Sequence, residues 1–144
     1  MKVGLDLTAL LPEATGVDTY MLELLRSLMA VDRQNRYSIF INREDRDRLP
    51  PLEEHFQLTS VSTRSRPVRI AWQQAGLPLL AAARRLDVIH SPAFILPFAA
   101  RRAGHVLTIH DMTSFSHPAT HLPLRRSRPY CAALTASIHH ADRI

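Results

Sequence analysis

The sequence predicts an α/β protein with a Rossmann-like, open and mostly parallel sheet that carries helices on both faces. Short apolar runs of strand length alternate with longer segments of helical periodicity along the 144 residues. This alternation is typical of parallel sheets, whose strands are joined by crossover helices. The apolar share of 46% and the charged share of 22% are ordinary for a folded domain. We therefore treat residues 1–144 as one domain.

The first part of the chain predicts three strands and a helix. Lys2–Leu7 is short and apolar, as a buried strand is. Val17–Val31 repeats apolar residues at helical spacing and is the clearest helix. Tyr37–Ile41 and Phe56–Val61 predict two more strands, and the charged Arg43–Glu54 between them predicts a short helix or a loop.

The second part continues the alternation. Val68–Arg85 predicts a second helix, with an interruption at Gly76-Leu77-Pro78 because proline breaks the helical hydrogen-bond pattern. The remaining elements are two brief strands, a short apolar helix or turn, a third helix and the approach to a further strand: Asp87–His90, His105–His110, Ala93–Ala100, Leu124–His140 and Ala141–Ile144.

Three polar clusters follow the predicted strands. The first strand leads into a loop that ends at Gly16, the fourth ends at His90-Ser91-Pro92, and the fifth ends at His110-Asp111. In an open parallel sheet, ligands bind outside the carboxyl ends of the strands. If the strands are parallel, the three clusters share one edge and form the candidate site.

Each cluster has a functional and a structural interpretation. Gly16 lets the backbone pass close to a ligand, and the N–H groups that open the next helix can face an anion, but Gly16 is also an ordinary turn residue. His110 can donate a hydrogen bond to a ligand hydroxyl or to developing charge, and Asp111 can orient it. A histidine that caps a strand and an aspartate that starts a turn are the structural alternatives, and His90 has the same alternative.

Other site chemistries lack their motifs. The histidines His117 and His121 are four positions apart, but they fall in a segment that predicts a loop rather than a helix. The H-E-x-x-H pattern is absent and Cys131 is the only cysteine, so we expect no metal. The G-x-S-x-G and P-loop patterns and the G-x-G-x-x-G fingerprint are absent.

The charge is uneven along the chain. Residues 1–56 carry seven Lys/Arg and ten Asp/Glu, whereas residues 57–144 carry eleven and three. A basic second half favours an anionic partner, and it contains two groups that an anionic membrane surface would attract. The alternative is a packed helix with a solvated basic end. The residues of this predicted membrane or anion patch are Arg64, Arg66, Arg69, Trp72, Arg125, Arg126 and Arg128.

The motifs, taken in order, resemble glycosyltransferase family 4, whose members are retaining enzymes of the GT-B fold. Gly16-Val17-Asp18-Thr19-Tyr20 is similar to the family's Gly-Ile/Val-x-Arg-Tyr helix start, and His90-Ser91-Pro92 to its His-x-Pro. Thr108-Ile109-His110-Asp111-Met112 is similar to its Thr-Ile/Val-His-Asp-Leu, and Ala141–Ile144 to its run into the next strand. The resemblance spans the whole chain.

The resemblance implies functions for these residues. His110 would contact the donor sugar near the reacting carbon, with Asp111 as the second catalytic candidate. The substrate-binding candidates are Gly16, Val17, Tyr20, His90 and Ser91. The N-terminal domain of such an enzyme binds a glycan or lipid-linked acceptor, often at the inner face of the membrane. We therefore expect a cytoplasmic protein that is peripheral to that membrane, with a nucleotide sugar as co-substrate and no cofactor.

Two departures from the family pattern matter. Thr19 stands where many members have arginine, and none of the five glutamates has another eight positions later, so the Glu-x7-Glu motif that serves the nucleotide sugar is absent. We expect the acceptor-side half of a GT-B enzyme, inactive alone and prone to weak self-association. A stand-alone flavodoxin-like binding or regulatory module is the alternative. A nucleic-acid partner is not expected, because the aromatic and zinc-finger patterns of such proteins are missing.

Overall fold

A five-stranded sheet forms the centre of the protein. The computed structural model describes residues 1–117 and 124–144, except for the side chains of residues 114 and 124–127. The strand order is β3-β2-β1-β4-β5, and every described pairing is parallel. The Rossmann-like α/β prediction is therefore confirmed. The strands are β1 (Lys2–Asp6), β2 (Arg36–Asn42), β3 (Phe56–Val61), β4 (Val88–Ser91) and β5 (Gly104–Leu107).

Helices connect the strands. A 3₁₀ helix, Arg43–Arg48, fills the short connection between β2 and β3. The described α-helices are α1 (Gly16–Val31), α2 (Arg66–Ala71), α3 (Leu77–Arg84), α4 (Thr113–Ser116) and α5 (Leu124–His140).

Two apolar clusters bury the two faces of the sheet. On the face covered by α1, which we name the α1 face, Leu5 and Ile39 pack with Met21 and Leu25 of the helix. The opposite face, which we name the α3 face, joins residues of the sheet to α3 and its flanking loops: Phe40, Leu77, Ala81, Leu86 and Ile89. Successive side chains of a strand alternate between faces, so β2 contributes Ile39 to the α1-face cluster and Phe40 to the α3-face cluster.

The start of α1 is fixed by a capping box. The helix begins at Gly16, one residue before the predicted start, because Thr15 is the N-cap and its hydroxyl accepts a hydrogen bond from the N–H of Asp18. The buried Asp18 carboxylate accepts in return from the N–H of Thr15 (2.8 Å) and from the N–H of Leu11 (2.7 Å). Burial raises the pKa of Asp18, but these hydrogen bonds outweigh it and hold the pKa below its ordinary value.

The predicted interruption of the second helix is a π-helical turn. The helical path is continuous from Arg66 to Arg84, with Trp72–Gly76 in π geometry between α2 and α3. Pro78 cannot donate a hydrogen bond to the preceding turn, and the wider turn lies where that bond is missing. The ring of Trp72 packs over Gly76, where an added Cβ would lie 2.2 Å from a ring atom.

Two segments differ from the sequence prediction. β5 ends at Leu107 rather than at residue 110, and the segment that follows Asp111 contains the short helix α4 where a loop is predicted. The apolar segment after β4 contains turns and no helix, which agrees with the second of its two predicted alternatives. At the end of the chain Arg143 forms a parallel bridge with Val106, in agreement with the predicted approach to a strand.

We predict a loss of stability at one glycine and little change at another. An added Cβ at Gly4 in β1 would lie 2.7 Å from Leu86 Cδ1 and 3.3 Å from Phe40 Cε2, so Gly4→Ala should lower the free energy of unfolding by about 1–3 kcal/mol. The control is Gly16→Ala, where no atom lies within 4 Å and the change should stay within about 1 kcal/mol. Urea unfolding measures both, and equal losses would contradict this account.

Candidate active site

Three elements meet around Thr108 at the edge where the strands end, which we name the carboxyl edge. Thr108 follows β5, and its hydroxyl lies 2.9 Å from His90 Nε2 of β4 and 3.3 Å from the hydroxyl of Tyr20 on α1. The N–H of Thr108 also donates to the carbonyl of Ser91 (3.0 Å). Parallel strands therefore bring His90, Tyr20 and the segment after β5 to one place, as the sequence predicts.

His110 lies beside this cluster with one ring nitrogen occupied. Its Nε2 is 2.8 Å from the carbonyl oxygen of Pro92. A carbonyl oxygen can only accept, so Nε2 carries a proton. No residue in the described part of the chain bonds Nδ1, which in the neutral ring is a hydrogen-bond acceptor. The ring therefore offers Nδ1 to a ligand.

Aromatic side chains form a row across the carboxyl edge. Tyr20 and His110 meet edge to face, with their ring centroids 4.9 Å apart. Phe94 also contacts His110, with ring centroids 5.6 Å apart, and contacts Tyr130 of α5 at 6.5 Å. Edge-to-face contacts of this kind stabilise pairs of rings and hold their orientation. We name these four residues the aromatic row.

Phe94 holds an uncommon backbone conformation. Its φ is 66°, in the left-handed region that bulky residues rarely adopt. The N–H of Phe94 donates to the carbonyl of Thr108 (3.2 Å), which ties the segment after β4 to the segment after β5. Such strain costs about 1–3 kcal/mol and persists where surrounding contacts compensate for it.

His90 and Ser91 lie next to each other in β4 but on opposite faces. His90 pairs with Val106 and Ser91 with Leu107, so their side chains alternate across the sheet. The side chain of Ser91 is buried, and its hydroxyl has no partner among the described residues. Burial lowers the pKa of His90 and favours its neutral ring at neutral pH. Of these two side chains, only that of His90 joins the cluster around Thr108, whereas Ser91 contributes its backbone carbonyl.

The other predicted site residues have different surroundings. Gly16 is exposed, and the space beside its Cα is open. Val17 is half-buried and packs against the α1-face cluster. Asp111 is exposed and accepts a hydrogen bond from the N–H of Thr113 (2.9 Å), which opens α4. Asp111 therefore shapes the turn that its structural interpretation predicts, close in sequence to His110.

The residues of the predicted basic patch have different structural surroundings and do not form one surface. Arg64 pairs with the buried Asp45 (3.1 Å) and donates to the carbonyl of Leu10 (3.3 Å). Trp72 is half-buried against Phe40, with ring centroids 6.3 Å apart, so its ring is part of the α3-face packing and not of an exposed patch.

Only some arginines of the predicted patch face the carboxyl edge or solvent. The guanidinium of Arg66 lies 5.4 Å from the ring centre of Tyr130. Burial lowers the pKa of Arg69, and the nearby Asp6 and Tyr130 act against this change. Arg128 is exposed on α5. The side chains of Arg125 and Arg126 lie outside the described residues.

Other features of the described residues do not belong to this site. No three His, Cys, Asp or Glu side chains there are grouped as metal ligands. None of the described helices combines the length and the apolar character that a bilayer span requires. A depression of about 840 Å³ opens at the opposite edge, lined by Lys2, Arg36 and Arg84 among others, and contains none of the predicted site residues.

The family comparison matches most of the chain. The family model described as Glycosyltransferase Family 4 aligns with residues 14–144, a range that begins next to the N-cap of α1 and includes the whole carboxyl-edge cluster. The chain belongs to Glycosyltransferase Family 4. The predicted family and a transferase domain are therefore confirmed. A comparison with curated protein sequences returned no match.

The sequence prediction missed several residues of this Family 4 domain. Thr108 lies within the quoted Thr-Ile-His-Asp motif. His90 pairs with Val106, two residues before Thr108, so strand alternation predicts Thr108 on the same face as His90 once the register is known. No local sequence pattern marks Phe94 and Tyr130 as site residues, because their contacts join distant parts of the sequence. Asp6 ends β1 and accepts from Gln73 Nε2 (2.8 Å), whereas the sequence around it predicts only an apolar strand.

We predict that Thr108→Val destabilises the site. The change keeps the side-chain shape but leaves His90 Nε2 and the Tyr20 hydroxyl without this partner, so the free energy of unfolding should fall by about 1–3 kcal/mol. Thr135→Val on α5 is the matched control, because Thr135 is exposed. Urea unfolding checks both variants, and a loss in the control as large as that in Thr108→Val would contradict the assignment.

A second prediction concerns pH. The native pKa of His90 lies below the unfolded value of 6.5, so the unfolded chain binds more protons between the two values. Stability should be constant above that window and fall as the pH decreases through it. His90→Gln should reduce the loss of stability between about pH 7.5 and about pH 5, measured by denaturant midpoints. Part of the loss should persist, because burial also lowers the pKa of His105. An unchanged pH dependence would contradict this role of His90.

Proposed function

We propose that this Family 4 domain is the acceptor-binding half of a GT-B glycosyltransferase that moves a sugar from a nucleotide-sugar donor to a glycan or lipid-linked acceptor. The observation that carries the proposal is the state of His110. Its Nε2 donates to the carbonyl of Pro92, its ring contacts both Tyr20 and Phe94, and its Nδ1 is open at the carboxyl edge. Cell-envelope or exopolysaccharide synthesis is the process that we propose for it.

The proposed chemistry uses His110 as a hydrogen-bonding group near the reacting carbon. When the ring is neutral, Nδ1 accepts from a sugar hydroxyl, and when it is protonated, Nδ1 donates to developing negative charge. The contacts with Tyr20 and Pro92 fix the ring before the ligand binds, so little reorganisation is needed. Asp111 is the second catalytic candidate, through its position next to His110.

The loop before α1 is the proposed approach for the phosphates of the donor. The open space beside Gly16 allows close contact with the backbone, and the first N–H groups of a helix have no partner within it. The carboxylate of Asp18 holds this loop through Leu11 and Thr15. We propose that a second domain binds most of the nucleotide sugar, that these 144 residues do not turn over alone, and that no cofactor is needed.

We also propose a cytoplasmic protein that is peripheral to the inner membrane face. Two exposed apolar residues, Val68 and Ile70, flank Arg69 on α2, close to Arg66. Apolar groups that insert and cations that face anionic lipid are the usual combination at a membrane surface. The same exposed apolar side chains support weak self-association.

We predict that His110→Ala lowers the rate of sugar transfer by about 10²-fold or more, because a group that stabilises the transition state is lost. The assay screens a panel of nucleotide sugars with the protein as the cell makes it. His139→Ala, an exposed histidine on α5, is the control and should retain the wild-type rate. Circular dichroism confirms that both variants fold. Wild-type turnover by folded His110→Ala would refute the proposed role.

A further inference from the structure

Two arginines lie at the end of the aromatic row that is opposite His90 and Thr108. Arg66 and Arg69 are one turn apart on α2, and the guanidinium of Arg66 lies over the ring of Tyr130 at 5.4 Å. Tyr130 contacts Phe94, and Phe94 contacts His110. The aromatic row therefore joins the open nitrogen of His110 to a pair of cations across the carboxyl edge.

Neither arginine has a direct ion-pair partner in the described part of the chain. No carboxylate lies within ion-pair distance of Arg66 or Arg69, and neither guanidinium makes a hydrogen bond there. Arg64, five residues before Arg69, shows the contrast, because it is paired with the buried Asp45. Arg64 therefore has a carboxylate in direct contact, whereas the two arginines next to Tyr130 have none in the described part of the chain.

The surroundings of Arg69 make its charged guanidinium unfavourable without a direct ion-pair partner. Arg69 is half-buried, and burial lowers the pKa of its guanidinium, while the nearby charge of Arg66 lowers that pKa further. The charge of Asp6 acts in the opposite direction, but its carboxylate already accepts from Thr8 and Gln73. A partly desolvated cation next to a like charge is unfavourable unless an anion compensates for both.

We propose that Arg66 and Arg69 bind a phosphate group carried by the acceptor. Two guanidinium groups offer planar pairs of N–H donors, which match the oxygens of a phosphate. The aromatic row would then separate the phosphate from the reacting hydroxyl near His110. The identity of the phosphate as part of an acceptor rests on the proposed function, whereas the binding of phosphate does not.

Thermal unfolding of the full chain tests the binding without turnover. Inorganic pyrophosphate should raise the wild-type Tm by a few degrees, about 2–8 °C, because it binds the folded state. The rise should be absent in Arg69→Gln and reduced in Arg66→Gln. Arg102→Gln is the charge-matched control, since Arg102 is exposed in the turn before β5 at the opposite edge, and it should keep the wild-type rise.

A second readout separates binding from a structural role. Without pyrophosphate, Arg69→Gln should be as stable as the wild type or more stable, because an unpaired cation is removed. A lower Tm of Arg69→Gln in the absence of pyrophosphate, or a pyrophosphate effect that persists in both arginine variants, would overturn the proposal. No effect of pyrophosphate on the wild type would also overturn it.

Two further arms identify the source of the phosphate. If the acceptor is a soluble sugar phosphate, a sugar 1-phosphate should reproduce the pyrophosphate effect, and the protein should not sediment with vesicles. If the phosphate belongs to a lipid, the protein should sediment with phosphatidylglycerol vesicles but not with phosphatidylcholine vesicles, and Arg69→Gln should weaken this binding. Either result supports the proposal. A protein that binds neither the sugar 1-phosphate nor the phosphatidylglycerol vesicles would contradict it.

The outcomes also separate this proposal from the proposed function. A pyrophosphate effect that depends on Arg69, together with wild-type turnover of His110→Ala, would refute the role of His110 alone. Loss of turnover in His110→Ala with no pyrophosphate effect in any variant would refute the phosphate site alone.

Discussion

The parallel direction of the strands is the constraint on which the site depends. Because all four described pairings in the sheet are parallel, the segments that follow β1, β4 and β5 meet at one edge, although they are distant in sequence. One antiparallel strand would send its polar cluster to the opposite edge, and the bonds of Thr108 to His90 and Tyr20 would not form. The direction of the strands thus decides which residues can meet, and side-chain contacts decide how they are held.

Two kinds of interaction fix the residues of the site in position. Hydrogen bonds fix the loop after β1: the N–H of Leu11 donates to the carboxylate of Asp18. The side chains of Asn42 and Arg64 donate to the carbonyls of Thr8 and Leu10. Ring contacts and the carbonyl of Pro92 fix His110 from the sides. A buried carboxylate or amide that is fully hydrogen-bonded rigidifies its surroundings, whereas a ring contact leaves the open nitrogen accessible. The combination gives a rigid base beneath groups that are free to bind.

The sequence predicts the fold and the edge of the site well, because strand length, helical periodicity and the position of polar clusters are local properties. It does not distinguish Arg64 from Arg66, since only the fold shows that Asp45 lies beside the first and Tyr130 beside the second. It groups His90 with Ser91, although strand alternation separates their side chains. Trp72 resembles an interfacial residue by composition, and its packing against Phe40 depends on a π-helical turn that the sequence indicates only as an interruption.

The segments after β4 and after β5 are joined by three bonds: Thr108 N–H to the Ser91 carbonyl, Phe94 N–H to the Thr108 carbonyl, and His110 Nε2 to the Pro92 carbonyl. The conformation of each segment therefore depends on its hydrogen bonds to the other. For protein engineers who exchange loops between related transferases, the two segments form a single cassette. Grafting one of them onto a foreign scaffold would carry the residues but not the alignment of the imidazole.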